Sequence, residues 1–428
     1  MQPTVDARLS APHRPVPDHD RRSDPVAFPA RHRQNEPRGA RLGRKLRWLT
    51  GIDRTDEALM DRIGAGFLQQ DELGAALAAA VRRPAGHPEV VTMAQFRTAQ
   101  QHGIAAVEHP PEALREFFET VEATPDWLDR ALLARGQQVY HRFGQNAADV
   151  LLQLSLVGGY RFGGPTDLLA ATGGLVGDQT VRRLAETQHW TTALGVPDAL
   201  EPHAEAWRLT VHVRLMHALV NHTFTPRWDV PRWGLPINQS DLAATLGLFD
   251  AVVLLGVRAL GVPVDRDDSR AVMHLWKYVG WLLGVDADFL VDSERERHRI
   301  NYHLLLAQAD LTEAGPQLAQ AIVAAQRQLH RDRCPTLQGI AGRERMLSML
   351  TVFLGGESMR ELGLPRRPPW AHLYLALLNT WRYRTPWGRR RLDAWGDQVR
   401  ERVLRRYFRG QARDVRPVET AGSRGPDV

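Results

Sequence analysis

Three histidines stand five residues apart in AWRLTVHVRLMHALVNHT, at positions 212, 217 and 222. Wound at about 100° per residue, the stretch lines up Leu209, Val213, Met216, Val220 and Phe224. His217 falls inside that apolar stripe and Arg214 at its border, while His212 and His222 point away. Rings five residues apart cannot face one ion from one helix. His298 and His303 repeat the spacing, and the chain has no HExxH. Local ligand pairs for zinc or di-iron are therefore poorly supported. One inward imidazole is what a haem requires as its axial base. It is also what a hydrogen-bonded core histidine looks like, and for a lone residue the core role is the more frequent.

A second group lies on VRRLAETQHW, where Val176, Thr180, Arg183, Thr187 and Trp190 share a helical face. A guanidinium and a hydroxyl four residues apart are odd in a plain core, because each buried donor needs a partner. Arg183 reads either as a cation reaching the surface over Trp190 or as a fork for an anionic cofactor group such as a carboxylate. Other chemistries find less. There is no GxSxG, and Gly163-Gly164 and Gly173-Gly174 precede no GK[ST], so a nucleotide loop is not indicated. Cys334, the sole cysteine, sits among basic residues without a histidine partner and reads as a bystander. Trp228 and Trp233 read as packing anchors.

The elements that position these groups are helical throughout. Apolar spacing marks helices over KLRWLTG, DEALMDRIGAGFLQ, DELGAALAAAVRR, EALREFFETVEA and DWLDRALLARGQQVYHRFG. A short one is expected over Thr92–Gln101, and Pro110-Pro111 open another. Ser240 or Asn238 is the expected cap of SDLAATLGLFDAVVLLGVRALG. The apolar run at 242–262 is about long enough to span a bilayer. Asp250 and Arg258 inside it argue for a buried helix instead, since charges in mid-membrane are expensive. Nothing alternates with period two for long enough to make a sheet.

Composition narrows the class. Over 428 residues, 55 Lys+Arg face 49 Asp+Glu, a net +6. No basic, aromatic-interleaved face suggests nucleic acid. A single cysteine excludes an internal disulfide and a cysteine-built metal site and fits a reducing compartment. The N-terminus, with Arg21-Arg22 followed by no apolar run, does not read as an export signal, so a cytoplasmic protein is expected. The division expected is a disordered tail over 1–40, a catalytic domain over 41–315 with its core at 110–310, a helical extension over 316–410 and a tail over 411–428. The basic end RRRLDAWGDQVRERVLRRYFRG reads as a solvated helix face, with a membrane-surface or partner helix as the alternative.

Five blocks in order, LLQLSLVGGY, ATGGLVGDQTVRRLAETQHW, AWRLTVHVRLMHALVNH, WDVPRWGLPINQSDLAATLGLF and HLWKYVGWLLGVD, together resemble the MpaB-type oxygenase family, which includes the latex-clearing rubber oxygenases. The resemblance implies an all-α, globin-like domain that binds haem b. It also implies use of O2 to cleave a C=C bond of an apolar, isoprenoid-like substrate. It makes His217 the iron ligand and places Arg183 and Thr187 beside the haem. Where family members often close the histidine block with arginine this chain has Asn221, so Arg214 becomes the stand-in for a propionate partner. Asp167 becomes the nearest carboxylate base for an allylic proton. Without an export signal, a small intracellular substrate is expected rather than a polymer. The competing reading is a non-catalytic haem carrier or sensor, or a structural protein, of the same fold.

Overall fold

Local capping sets where the helices begin. Thr92 accepts a hydrogen bond from the Gln95 N–H, and the Gln95 side chain accepts from the Thr92 N–H, so Met93–His102 starts there. Asp56, Asp129, Asn238, Asp265 and Ser293 each cap a following helix through a side-chain oxygen. Of the two candidates at 238 and 240, Asn238 is the cap, accepting from the Asp241 N–H at 2.9 Å. The structure, a computed structural model, describes residues 28–173, 178–326 and 335–408, without the side chains of 178–181, 335–336 and 406–408. Among these residues every regular element is a helix, as expected of an all-α protein. Cys334, Val176 and the Thr180 side chain lie outside the described residues.

Arg266–Leu282 packs along Arg130–Phe143, and Glu205–Phe224 along Glu72–Val81. The first pair approaches closely only because residue 136 is glycine: a Cβ there would stand 2.3 Å from the Ala271 carbonyl oxygen. Trp207 and Trp276 are fully buried at the centre. Trp190 meets Trp276 edge-on at 5.9 Å and donates to the Thr210 hydroxyl at 2.9 Å. A second apolar cluster, with Tyr160, Ile322, Leu347, Leu350 and Met359, joins Ala314–Ala325 to Pro335–Glu361. Leu154 and Phe353 pack against both clusters.

Three expectations are corrected. The apolar run does not form one helix: Gln239–Phe249 ends and Ala251–Ala259 begins at Asp250. Its carboxylate accepts from Arg297 Nε at 2.7 Å, with both side chains 1% exposed. Gln239–Ala259 is the one stretch among the described residues long and apolar enough to cross a membrane, yet this ion pair and the helix break sit in its middle. The N-terminal tail does not extend to 40, because Arg31 is buried against Asp241 and Gln308 and Glu36–Leu42 is helical. Those contacts span more than 200 residues of sequence, beyond any local pattern. At the other end Leu392–Phe408 is docked on the body, with Asp393 paired to Arg142 and Arg400 to Glu205. Finally, the deepest arc of Glu205–Phe224 runs through Trp207, Arg214, Leu215, Ala218 and Asn221, while of the expected stripe Leu209 and Phe224 are buried and Val213, Met216 and Val220 half-buried. The middle of the apolar stripe thus lies beside the buried centre, and the arginine placed at its border stands in that centre.

Candidate functional site

Where the two apolar clusters meet, the fold leaves a cavity of about 870 Å3. That is within the range of roughly 300–1,000 Å3 of small-molecule and cofactor sites. Leucine is the commonest residue of its walls, with Leu151, Leu154, Leu184, Leu248 and Leu304 among them. Leu151–Val157 contributes one wall as a π-helical stretch. Such widened turns are rare and concentrate at functional sites. Ser155 within it donates to the Leu248 carbonyl at 2.6 Å, which ties that wall to the next helix. The wall also includes Gly355, whose φ of 78° breaks Pro335–Glu361 where that helix borders the cavity.

His217 lines this cavity. Its Nδ1 is buried and has no hydrogen-bond partner among the described residues. Burial pushes the imidazole down to about 4, against a small opposing pull from Asp71. The ring is therefore neutral at physiological pH, with a nitrogen lone pair unclaimed by protein. A core histidine without a partner is costly to bury, and among the rings with an unpartnered nitrogen His217 is the one that lines the cavity. Thr187 lines the same cavity, so two of the residues nominated from sequence converge. Arg183 does not line it. It lies one turn from Thr187, loses affinity for its proton through burial, and donates to the Thr172 hydroxyl at 3.2 Å.

Arg214 and Asp167 are placed elsewhere. Arg214 makes a two-pronged ion pair with Asp71, both bonds 2.7 Å, and stacks over Phe117. A guanidinium held by that fork is already satisfied, so Arg214 is no substitute anion ligand. Asp167 caps Pro165–Ala171, accepting from the Gly164 N–H at 2.8 Å and the Thr312 hydroxyl at 3.0 Å. It does not line the cavity. Asn221 is structural: its amide donates to Gln70 and its carbonyl accepts from the Ile237 N–H.

Arg41, Arg44, Lys45 and Arg161 line the cavity, and of these Arg161 alone is not exposed. Its Nε donates to the Gly158 carbonyl at 2.7 Å and Nη1 to Ser358 at 3.1 Å. It forms no ion pair among the described residues, and burial beside Arg38 pushes it down to about 10. The one signal in sequence was its place in the Gly-rich bend GGYRFGG.

No three histidine, cysteine or acidic side chains converge on one point among the described residues. A lone His217 can hold iron only in a group that brings its own further ligands, as a porphyrin does. The unpartnered His217 nitrogen, the leucine walls and an unneutralised Arg161 fit such a group: a base, an apolar slot and a fork for a carboxylate.

The site thus defines an all-α protein with an apolar cavity served by one neutral histidine. Residues 141–409 match the family described as ER-bound oxygenase mpaB/B'/Rubber oxygenase, catalytic domain, and the chain belongs to that family. The match runs to 409, so the region set apart from sequence as an extension from 316 is part of the family domain. A rubber oxygenase of Streptomyces sp. (strain K30) is 26% identical over 268 residues, 60% of this chain and 62% of that protein. The chain thus matches under two thirds of that relative's length. A structure of a latex clearing protein in its closed state superposes with a TM-score of 0.58 at 22% identity. That superposition covers 78% of this chain and 91% of the other, and it establishes the likeness of fold.

Proposed function

We propose that this protein is a haem b-dependent oxygenase that uses O2 to cleave a C=C bond of an apolar, isoprenoid-like substrate. The observation that carries this reading is the buried His217 nitrogen, unpartnered in a leucine-walled cavity. Family membership supports it, and the rubber oxygenase relative supports an alkene substrate.

His217 would hold the iron, and Arg161 would pair with a propionate. Haem, when bound, supplies the activation of O2 that no side chain can. The chain's own residues do the rest. His217 stays unprotonated because burial disfavours its charged form, so it remains a ligand across the physiological range. The leucine walls desolvate a hydrocarbon chain and hold its double bond in place, converting an encounter into an intramolecular step. Thr187 offers a hydroxyl beside Gln188 and Thr191 on the same helix, where it fixes the orientation of a polar group of cofactor or substrate. Arg183 acts as a positioning residue through Thr172 and the bend that precedes it.

The test is oxygen uptake by the haem-loaded protein with short isoprenoid alkenes, with products followed by mass spectrometry. O2 consumption matched to alkene loss and to two carbonyl products supports the reading. Haem uptake with no consumption of any alkene offered favours a carrier or sensor.

A further inference from the structure

Helix Trp370–Arg384 is held along one edge only. Ala371, Leu375, Asn379 and Tyr383 face inward at four-residue intervals. Asn379 donates to the Leu260 carbonyl and to Asn146, and the Tyr383 hydroxyl to the Arg142 carbonyl, so the rotation of the helix is fixed. That orientation turns Trp370, Leu373, Tyr374, Leu377, Leu378 and Trp381 outward. Leu377 is 74% and Leu373 60% exposed, and Trp387 of the next turn leans on Trp381 at 5.0 Å. Seven of the thirteen large apolar side chains exposed among the described residues lie between 370 and 387. A contiguous patch of this kind marks a surface that meets something.

The charges around it say what. Residues 366–391 contain seven arginines and no aspartate or glutamate. Arg366, Arg384, Arg389, Arg390 and Arg391 are exposed and pair with no carboxylate among the described residues. Leucine and tryptophan on one face, rimmed by arginine, is the pattern of a helix lying in a membrane interface. Tryptophan and tyrosine suit the headgroup level, and arginine stems lie along apolar surface while their heads reach phosphate. A second copy fits poorly, since a two-fold contact would press one arginine rim against another. A convex helix offers a partner peptide no groove.

We propose that Trp370–Arg391 is a docking face for an anionic phospholipid bilayer, with the helix parallel to the surface. This holds whatever chemistry the cavity performs, and its failure would leave the proposed oxygenase reading untouched.

The experiment is co-sedimentation of the full chain with vesicles of phosphatidylglycerol and phosphatidylcholine, and with phosphatidylcholine alone. Tryptophan fluorescence reports insertion, and light scattering reports the oligomeric state. The chain should sediment with the mixed vesicles, with a blue shift, and far less with the neutral ones or at high salt. Leu373→Glu with Leu377→Glu should weaken partition at least tenfold. Arg389→Gln, Arg390→Gln and Arg391→Gln together should weaken it while leaving the thermal melt unchanged. The proposal is overturned if the parent stays in the supernatant with anionic vesicles, or if either variant sediments as the parent does. It is also overturned if the parent is a dimer that Leu377→Glu converts to monomer.

Discussion

His217→Gln in the haem-free protein tests the electrostatic core of the account. An unfolded chain protonates this imidazole near 6.5, whereas the folded protein holds it down at about 4. As pH falls through that window the unfolded state takes up a proton that the folded state refuses. Acid therefore favours unfolding between about pH 6.5 and about pH 4, with no contribution above the window and no further change below it. At about 1.36 kcal/mol per pH unit, the burial of this one ring removes about 3 kcal/mol of stability by pH 4. Glutamine fills much of the same volume and does not titrate. Urea unfolding of parent and variant at pH 7 and near pH 4.5 should show the variant losing about 2.5 kcal/mol less on acidification. His32, His189, His274, His303 and His372 are also pushed down by burial, so both proteins lose stability in acid. Only the difference reports His217. Equal losses would refute the reasoning, because they would mean that the ring is solvated or partnered in the folded state.

Other outcomes separate cavity residues from supports. Arg161→Gln should weaken haem binding roughly ten- to a hundredfold in titrations, the scale of a lost charge-assisted hydrogen bond of about 1.5–3 kcal/mol, with urea stability little changed. Arg214→Met should instead cost about 3–5 kcal/mol of stability, because it strands Asp71 against the core. A stable Arg214→Met protein with weakened haem binding would reinstate Arg214 as a cofactor residue. Arg297→Met should destabilise by a similar amount, since Asp250 is already pushed up by burial and would lose its counter-charge. Adding Asp250→Asn should recover part of that loss in the same denaturation assay. Thr187→Val should retain haem and lower oxygen uptake with alkene, and an unchanged rate would remove Thr187 from the site.

Much of the fold was legible because its signals are local. Thr92 and Asn238 declare helix starts within three residues, and the apolar spacing shows where each helix runs. His217 was legible as the inward histidine of its helix, and Thr187 by its place in the resemblance. What escaped depends on partners far away in sequence. Arg214 stands in the buried arc because Asp71, 143 residues earlier, neutralises it, which no helical wheel contains. Asp250 splits an apolar run because Arg297 waits on another helix. The segment from 28 is ordered through Arg31 and Asp241. Arg161 gave no periodic signal, and only its place on the cavity wall makes its lack of an acid partner meaningful.

The most direct measurement is the absorption spectrum of the purified protein titrated with haem, for the parent and for His217→Ala. The account requires the parent to take up one haem with an intense Soret band, and the alanine variant to remain colourless after the same treatment and desalting. A variant that retained a full complement of haem with an unchanged spectrum would contradict it.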